Sequence, residues 1–189
     1  MDLAAQLRAF RPWNEQEERD REALLRLLEN GQAPYGREDP AHLTASAWVV
    51  SPGRDRVLLA YHNLYDSWSW LGGHADGERD LLSAALREVR EESGLEEVRP
   101  VSRDIYSVEI LTVDGHEKRG RYVSSHLHLN VTFLLEADPA APVRRKADEN
   151  SAVAWFALEE AVAASTEPWF QARIYSKLNA KLAGYPPLR

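Results

Sequence analysis

The strongest constraint on what this chain can fold into lies between residues 72 and 95, where a glycine-rich loop, a charged amphipathic segment and a glycine stop follow one another without a gap. Gly72-Gly73-His74-Ala75-Asp76-Gly77-Glu78-Arg79-Asp80 opens the segment, Asp80 can cap a helix start, and Gly94 can take the left-handed conformation after its end. The spacing predicts a helix over residues 80–93. At about 100° per residue, Leu82, Ala85, Leu86 and Val89 form one apolar stripe, while Glu88, Glu91 and Glu92 gather on an adjoining face. Such a helix buries its stripe against another element, which carries the three carboxylates to the edge of a core.

Glu88 and Glu92 stand one turn apart, so at roughly 6 Å they repel by about 0.7 kcal/mol in water and several-fold more beside a low-dielectric wall. A divalent cation reverses the sign of that interaction. The chain has no cysteine, and an all-oxygen cluster prefers hard Mg²⁺ or Mn²⁺. The plain alternative is a solvated acidic face relieved by Arg87 and Arg90.

The surroundings predict mixed strands and helices. Asn14 followed by Glu17 resembles a capping box, and Ala23, Leu24, Leu25, Leu27 and Leu28 give helical spacing up to Asn30-Gly31. Gly31 to Pro40 reads as a linker loop. Strands are expected at 43–50 and 56–62, joined by the turn Ser51-Pro52-Gly53-Arg54-Asp55, and at 67–71, 105–113 and 122–136. Further helices are expected at 158–164 and 168–183. The fold class is therefore α/β or α+β, built as one compact body. It divides into an N-terminal helical extension with linker loop, 1–42, and a main domain, 43–189.

Several function classes recede at once. Without cysteine there is no disulfide framework, thiolate metal site or cysteine nucleophile. A formal charge of -7 argues against a stable nucleic-acid partner, which calls for a basic excess. No stretch approaches about 18 uninterrupted apolar residues, and the first residues lack the pattern of a signal peptide, so the expectation is a cytoplasmic protein without a membrane partner.

Gly73, Arg87, Glu88, Glu91, Glu92 and Gly94, with Val89 and Leu95 in aliphatic positions, stand at the spacing of the Nudix box. A chance match to six fixed residues has a frequency of roughly 10⁻⁷ per start position, so the chain is identified as resembling the Nudix hydrolases. One position departs from the pattern. The box has a glutamate six residues after Gly73, where this chain has Arg79, with Glu78 one place earlier; a loop shift would let Glu78 substitute. Beyond the box, Thr44-Ala45-Ser46-Ala47-Trp48, Tyr61-His62-Asn63 with Ser67-Trp68, Gly72 to Gly77, His116 to Asn130, and Asp148-Glu149-Asn150 with Trp155 resemble a bacterial Nudix subgroup. That subgroup carries no assigned substrate.

The resemblance implies an α/β/α sandwich with a mixed sheet, extended here by the N-terminal helices. It implies water attack at phosphorus on a small-molecule diphosphate. Glu88, Glu91 and Glu92 would hold Mg²⁺ or Mn²⁺, with the Gly72 carbonyl as a further ligand, and Arg87 would orient the cluster through an ion pair. The family places its general base either in the box helix or in a later loop. Glu149 is the loop candidate, with a plain turn carboxylate as the alternative reading, and Glu88 is the candidate within the box. A homodimer is also allowed.

Other residues suit substrate contact. His116, Lys118, Arg119, Arg121, His126 and His128 form a basic run that can receive phosphate, or equally a solvated hairpin tip. His126, His128 and Asn130 alternate and so share a strand face; a histidine metal site there would need more ligands. Trp68 and Trp70, with Tyr65, could stack on a base or form core, and His74 could touch phosphate or face solvent. Trp155 and Phe156 read as packing between a strand and a helix.

Two rivals accompany hydrolysis of nucleoside-diphosphate-linked compounds. A Nudix-fold ligand-binding or regulatory module without catalysis has Arg79 in its favour. Non-nucleosidic diphosphates would keep the chemistry and change the substrate. An isopentenyl-diphosphate isomerase shares the fold but depends on a cysteine, which this chain lacks.

Overall fold

The computed structural model describes residues 2–31, 35–118, 120–146 and 150–187. Two helices come first, α1 (Leu3–Ala9) and α2 (Glu15–Glu29). The short α1 has no side-chain cap and too little periodicity to stand out in the sequence; it is held by burial of Leu3 and Leu7. The cap of α2 is half as expected. Asn14 Oδ1 accepts the Glu17 N–H at 3.0 Å, but Glu17 Oε2 accepts from the N–H of Trp13 at 2.7 Å. The other Glu17 oxygen is drawn inward to Ser107, Lys177 and Lys181.

The main sheet has the order β10 (Asn150–Ala157), β2 (Arg56–His62), β1 (Ala41–Val50), β9 (His126–Ala137) and β5 (Val98–Pro100). Three further strands attach to it: β3 (Ser67–Ser69) to β2, β4 (Leu71–His74) to β1, and β6 (Ser107–Val113) to β9. β1 and β9 run parallel from Ala41↔Leu127 to Val50↔Glu136, and the remaining pairs in this sheet are antiparallel, so the sheet is mixed. The expected β1–β2 hairpin forms, with Val50 opposite Val57. Its turn is fastened by Ser51 Oγ, which accepts the N–H groups of Asp55 and Arg56.

Four expected strands have different bounds, β1 beginning at Ala41, two residues before the expected start. The one expected at 67–71 divides at Trp70 and continues through Gly72 and Gly73 as β4. Glycines mark loops by pattern, yet here they serve close approach: a Cβ on Gly72 would lie 2.6 Å from the carbonyl oxygen of Ala45 and from Cα of Ser46. The strand expected at 122–136 starts at His126, because residues 121–123 belong to a separate ribbon of β7 (His116–Lys118) and β8 (Arg121–Val123). β6 begins at Ser107, two residues later than expected.

The two faces of β1 and β9 explain the architecture. Leu43, Ala45, Ala47 and Val49 on β1, with Leu129, Val131, Phe133 and Leu135 on β9, join a core that contains α3 (Leu81–Ser93) and the apolar residues of α1 and α2. The opposite face changes character along its length. His42, Thr44 and Ser46 on β1 lie level with His128, Asn130 and Thr132 on β9, whereas Trp48, Val50 and Leu134 beyond them are apolar. The apolar half is covered by α4 (Leu158–Ala164), a π-helical turn over Phe170–Tyr175 and α5 (Ser176–Lys181). The single helix expected over 168–183 is thus interrupted by the π turn and ends in a 3₁₀ turn, Leu182–Gly184. The polar half is left as the floor of a cleft.

Beneath that floor runs a buried polar chain. Asn130 accepts at Oδ1 from Thr44 and Ser46, and its amide donates to Glu109 Oε2. Glu109 pairs with Lys177 at 2.9 Å, and Lys177 and Lys181 both reach Glu17. Burial alone would raise the pKa of Glu17, but the two lysines more than offset it and hold the carboxyl below its usual range. Among the described residues no helix is long and apolar enough to cross a membrane.

Candidate active site

α3 is built as its sequence dictates. Asp80 Oδ1 accepts the N–H of Ser83 at 3.3 Å, and Gly94 closes the helix at φ 70°, its N–H bonding to the Arg90 carbonyl. Leu82, Ala85 and Val89 are buried with Leu81 and Ala84, and Leu86 is partly buried. The acidic residues are placed unequally: Glu88 and Glu92 are buried, while Glu91 is exposed.

Each carboxylate is engaged by a cation or an N–H. Glu88 pairs with Arg87 at 2.6 Å, Glu91 pairs with Lys146 at 3.2 Å, and Glu92 Oε2 accepts the N–H of Gly72 at 2.9 Å. Arg87 also donates to the carbonyl of His74 at 3.2 Å, tying the helix to β4. Gly73 is where the two elements touch, since a Cβ there would lie 2.6 Å from the Glu88 carboxyl carbon and Oε2. Because a side chain and not backbone would have to give way, Gly73→Ala is expected to fold normally but push Glu88 out of place. Turnover should fall at least about tenfold, comparable to disturbing a residue that orients a metal ligand, with far-UV circular dichroism and Tm little changed. A variant of full activity would show that the position of Glu88 is not critical.

The acidic face forms one side of a cleft of about 660 Å³. Arg37, His42, Thr44, Ser46, His74 and Asn130 line it from the sheet side, and His116, Lys118, His126 and His128 extend the wall. The cleft therefore sets carboxylates against imidazoles and cations, an arrangement that can hold a polyanion together with a metal ion. Burial and neighbouring positive groups push His74 down to about 4 and His128 down to about 3, so both rings are neutral at neutral pH.

Of the residues expected from sequence, Gly72, Arg87, Glu88, Glu91, Glu92, Lys118, His126 and His128 meet in this cleft. Arg121 is exposed on β8 and does not line it. Trp68 also lies apart, edge-on to Phe156 at 4.8 Å, and Trp70 lines the cleft in its stead. Arg119 and Glu149 lie outside the described residues. Glu78 does not substitute for the missing box glutamate: it is exposed, and its Oε1 accepts the Asp80 N–H at 2.8 Å. Arg79 sits over the ring of Tyr35 at 5.3 Å. Sequence reasoning missed His42, Arg37 and Lys146. His42 was legible as a polar residue in register with Thr44 and Ser46, but only the β1–β9 pairing shows that it faces His128.

The NUDIX domain model matches residues 40–178. The fold is shared with solved structures that include a C. elegans Ap4A hydrolase in a binary complex (21% identity over 76% of this chain and 98% of that one, TM-score 0.52). It is also shared with the M. smegmatis Nudix hydrolase RenU (20% identity, 78% and 89%, TM-score 0.54) and the E. coli dihydroneopterin triphosphate pyrophosphohydrolase (17% identity, 76% and 96%, TM-score 0.54). No curated protein matches the sequence. The chain belongs to the NUDIX domain family.

Proposed function

We propose that this cleft hydrolyses a phosphoanhydride bond in a small, nucleoside-diphosphate-linked or related substrate by water attack at phosphorus, with Mg²⁺ or Mn²⁺ as cofactor. The observation that carries the reading is the opposition of Glu88, Glu91 and Glu92 to a basic and imidazole-lined wall within one cleft. The acidic donors fit a hard divalent ion: all are oxygens, and Arg87 and Lys146 already supply the positive charge that such an ion would replace. When bound, the ion neutralises the diphosphate and lowers the pKa of the attacking water.

The chain's own residues do the rest. Glu92, with its carboxylate on the Gly72 N–H, fixes β4 against the helix, so that the Gly72 carbonyl and the carboxylates act as one unit. Arg87 orients Glu88. Lys118 and Arg119 receive the phosphate oxygens not under attack, His126 and His128 line the same wall, and Trp70, which lines the cleft where Trp68 does not, is the stacking surface. For the general base we favour Glu149 over Glu88. The described residues that bound the segment 147–149, Lys146 and Asn150, are both tied to α3, Lys146 through Glu91 and Asn150 through the Glu92 carbonyl at 3.1 Å. Residues 1–42 are assigned as an extension and 43–189 as the hydrolase domain, a boundary that β1 crosses by two residues, Ala41 and His42.

The test is release of phosphate or monophosphate from a panel of nucleoside triphosphates, dinucleotides, nucleotide sugars and prenyl diphosphates, with Mg²⁺, with Mn²⁺ and with chelator. Metal-dependent turnover of one class supports the reading and names the substrate. Silence across the panel with tight binding of one member would favour a regulatory module. Arg79→Glu bears on the same choice: Arg79 stacks on Tyr35 and does not line the cleft, so activity is expected to stay within about twofold, the scale of a surface substitution. A several-fold gain would mean that the loop is impaired as it stands.

A further inference from the structure

The most compact group of potential metal donors among the described residues is not the acidic one. His42, His74, His126 and His128 each present a ring nitrogen, and these four atoms all lie within 4.8 Å of one another. Three strands supply them, β1, β4 and β9, through the registers His42↔His128 and Thr44↔His74. The ring centroids of His42 lie 5.0, 5.0 and 5.2 Å from those of His74, His126 and His128. Nε2 of His126 and Nε2 of His128 are 3.2 Å apart. Nitrogens on a tetrahedral zinc at the usual bond length are about 3.3–3.4 Å apart.

Two further details point to a ligand. Nδ1 of His42 is 2.8 Å from the carbonyl of Asp39, and Nδ1 of His126 is 2.8 Å from the carbonyl of Ser124. A carbonyl only accepts, so Nδ1 of each ring carries a proton and Nε2 is the atom each ring offers to a metal, the arrangement in which a backbone carbonyl orients a metal-bound imidazole. The Nε2 of His42 is moreover buried without a hydrogen-bond partner, on a residue only 3% exposed. A buried acceptor left in this state is costly unless something fills the space before it.

We propose that His42, His74, His126 and His128 form a second metal site, selective for an imidazole-preferring divalent ion such as Zn²⁺, and separate in donor chemistry from the oxygen site of Glu88, Glu91 and Glu92. Four imidazole nitrogens suit Zn²⁺ and disfavour Mg²⁺, so the two sites sort ions by ligand softness within one cleft. A zinc ion here pins three strands of the cleft floor and sets a fixed dication on the wall opposite the acidic helix. Arg87 bridges the two sites, pairing with Glu88 and donating to the backbone of His74.

The test uses tag-free full-length chain, dialysed with Zn²⁺ and then against excess Mg²⁺, with metal content read by emission spectroscopy. Retention of about one zinc per chain is expected, with visible ligand-field absorption of four-coordinate character when Co²⁺ replaces it. His126→Ala and His128→Gln should each weaken zinc binding at least about tenfold, and Glu91→Gln should leave it unchanged. His126 is partly exposed, so its variant tests the site even if the more buried positions do not tolerate change. Zinc lost on dialysis, zinc retained by both histidine variants, or zinc lost from Glu91→Gln would each overturn the proposal. Neither result depends on turnover, so the hydrolase reading stands or falls separately.

Discussion

Glu92→Gln is expected to remove metal-dependent turnover by at least about a hundredfold, the equivalent of roughly 3 kcal/mol of transition-state stabilisation, while the protein stays folded. The amide oxygen of glutamine can still accept the Gly72 N–H that Glu92 now accepts at 2.9 Å, so β4 keeps its anchor on α3. What disappears is the charge, while the apolar side chains of Leu82, Ala85 and Val89 that pack the helix are untouched. Steady-state kinetics across Mg²⁺ concentrations, beside a thermal melt, separates the two effects. Full activity would remove Glu92 from the ligand set, and a collapsed melt would make its role structural.

The largest effect on stability is expected at Glu17, far from the reacting groups. Its carboxylate is fully buried and pairs with Lys177 at 3.2 Å and Lys181 at 2.7 Å. Glu17→Ala leaves two buried ammonium groups short of charge, which costs about 3–5 kcal/mol and lowers Tm by roughly 10 °C for a chain of this size. The pH dependence has a fixed sign. Since the folded-state pKa of Glu17 is depressed, its contribution is fully present above the ordinary carboxylate range and is lost as pH falls through the folded value. The stability gap between wild type and Glu17→Gln, measured by urea titration, should therefore narrow on acidification. A gap that widens in acid would mean that the lysines do not set this carboxylate.

The elements read most directly from the sequence were those whose local chemistry and tertiary role agree. Asp80 and Gly94 delimit α3, Ser51 to Asp55 turn the first hairpin, and Asn14 caps α2 as its side chain allows. The misreadings arose where long-range contacts decide. Gly72 and Gly73 read as loop, but they are strand residues because β1 and Glu88 leave no room for a side chain. Glu17 read as a helix-capping glutamate, yet half of it serves partners some 160 positions away. His126 and His128 were visible as an alternating pair, but His42 and His74 joined them only through strand register. Periodicity reports what a residue faces within its own element and is silent about what arrives from another.

The parallel pairing of β1 with β9 bears on how the molecule reaches this state. The Thr44–Asn130 contact in the cleft floor joins residues 86 positions apart, and the β1–β9 register extends over ten residues of each strand. Closing so long a segment precedes any reward from the contacts it brings, so this pairing belongs among the slow events of folding. A chain arrested before it would have α3 and its carboxylates but no opposing wall, and hence nowhere for a phosphate to lodge. Competence to bind therefore arrives with this long-range pairing, and any ligand of this cleft selects chains whose two halves have already met.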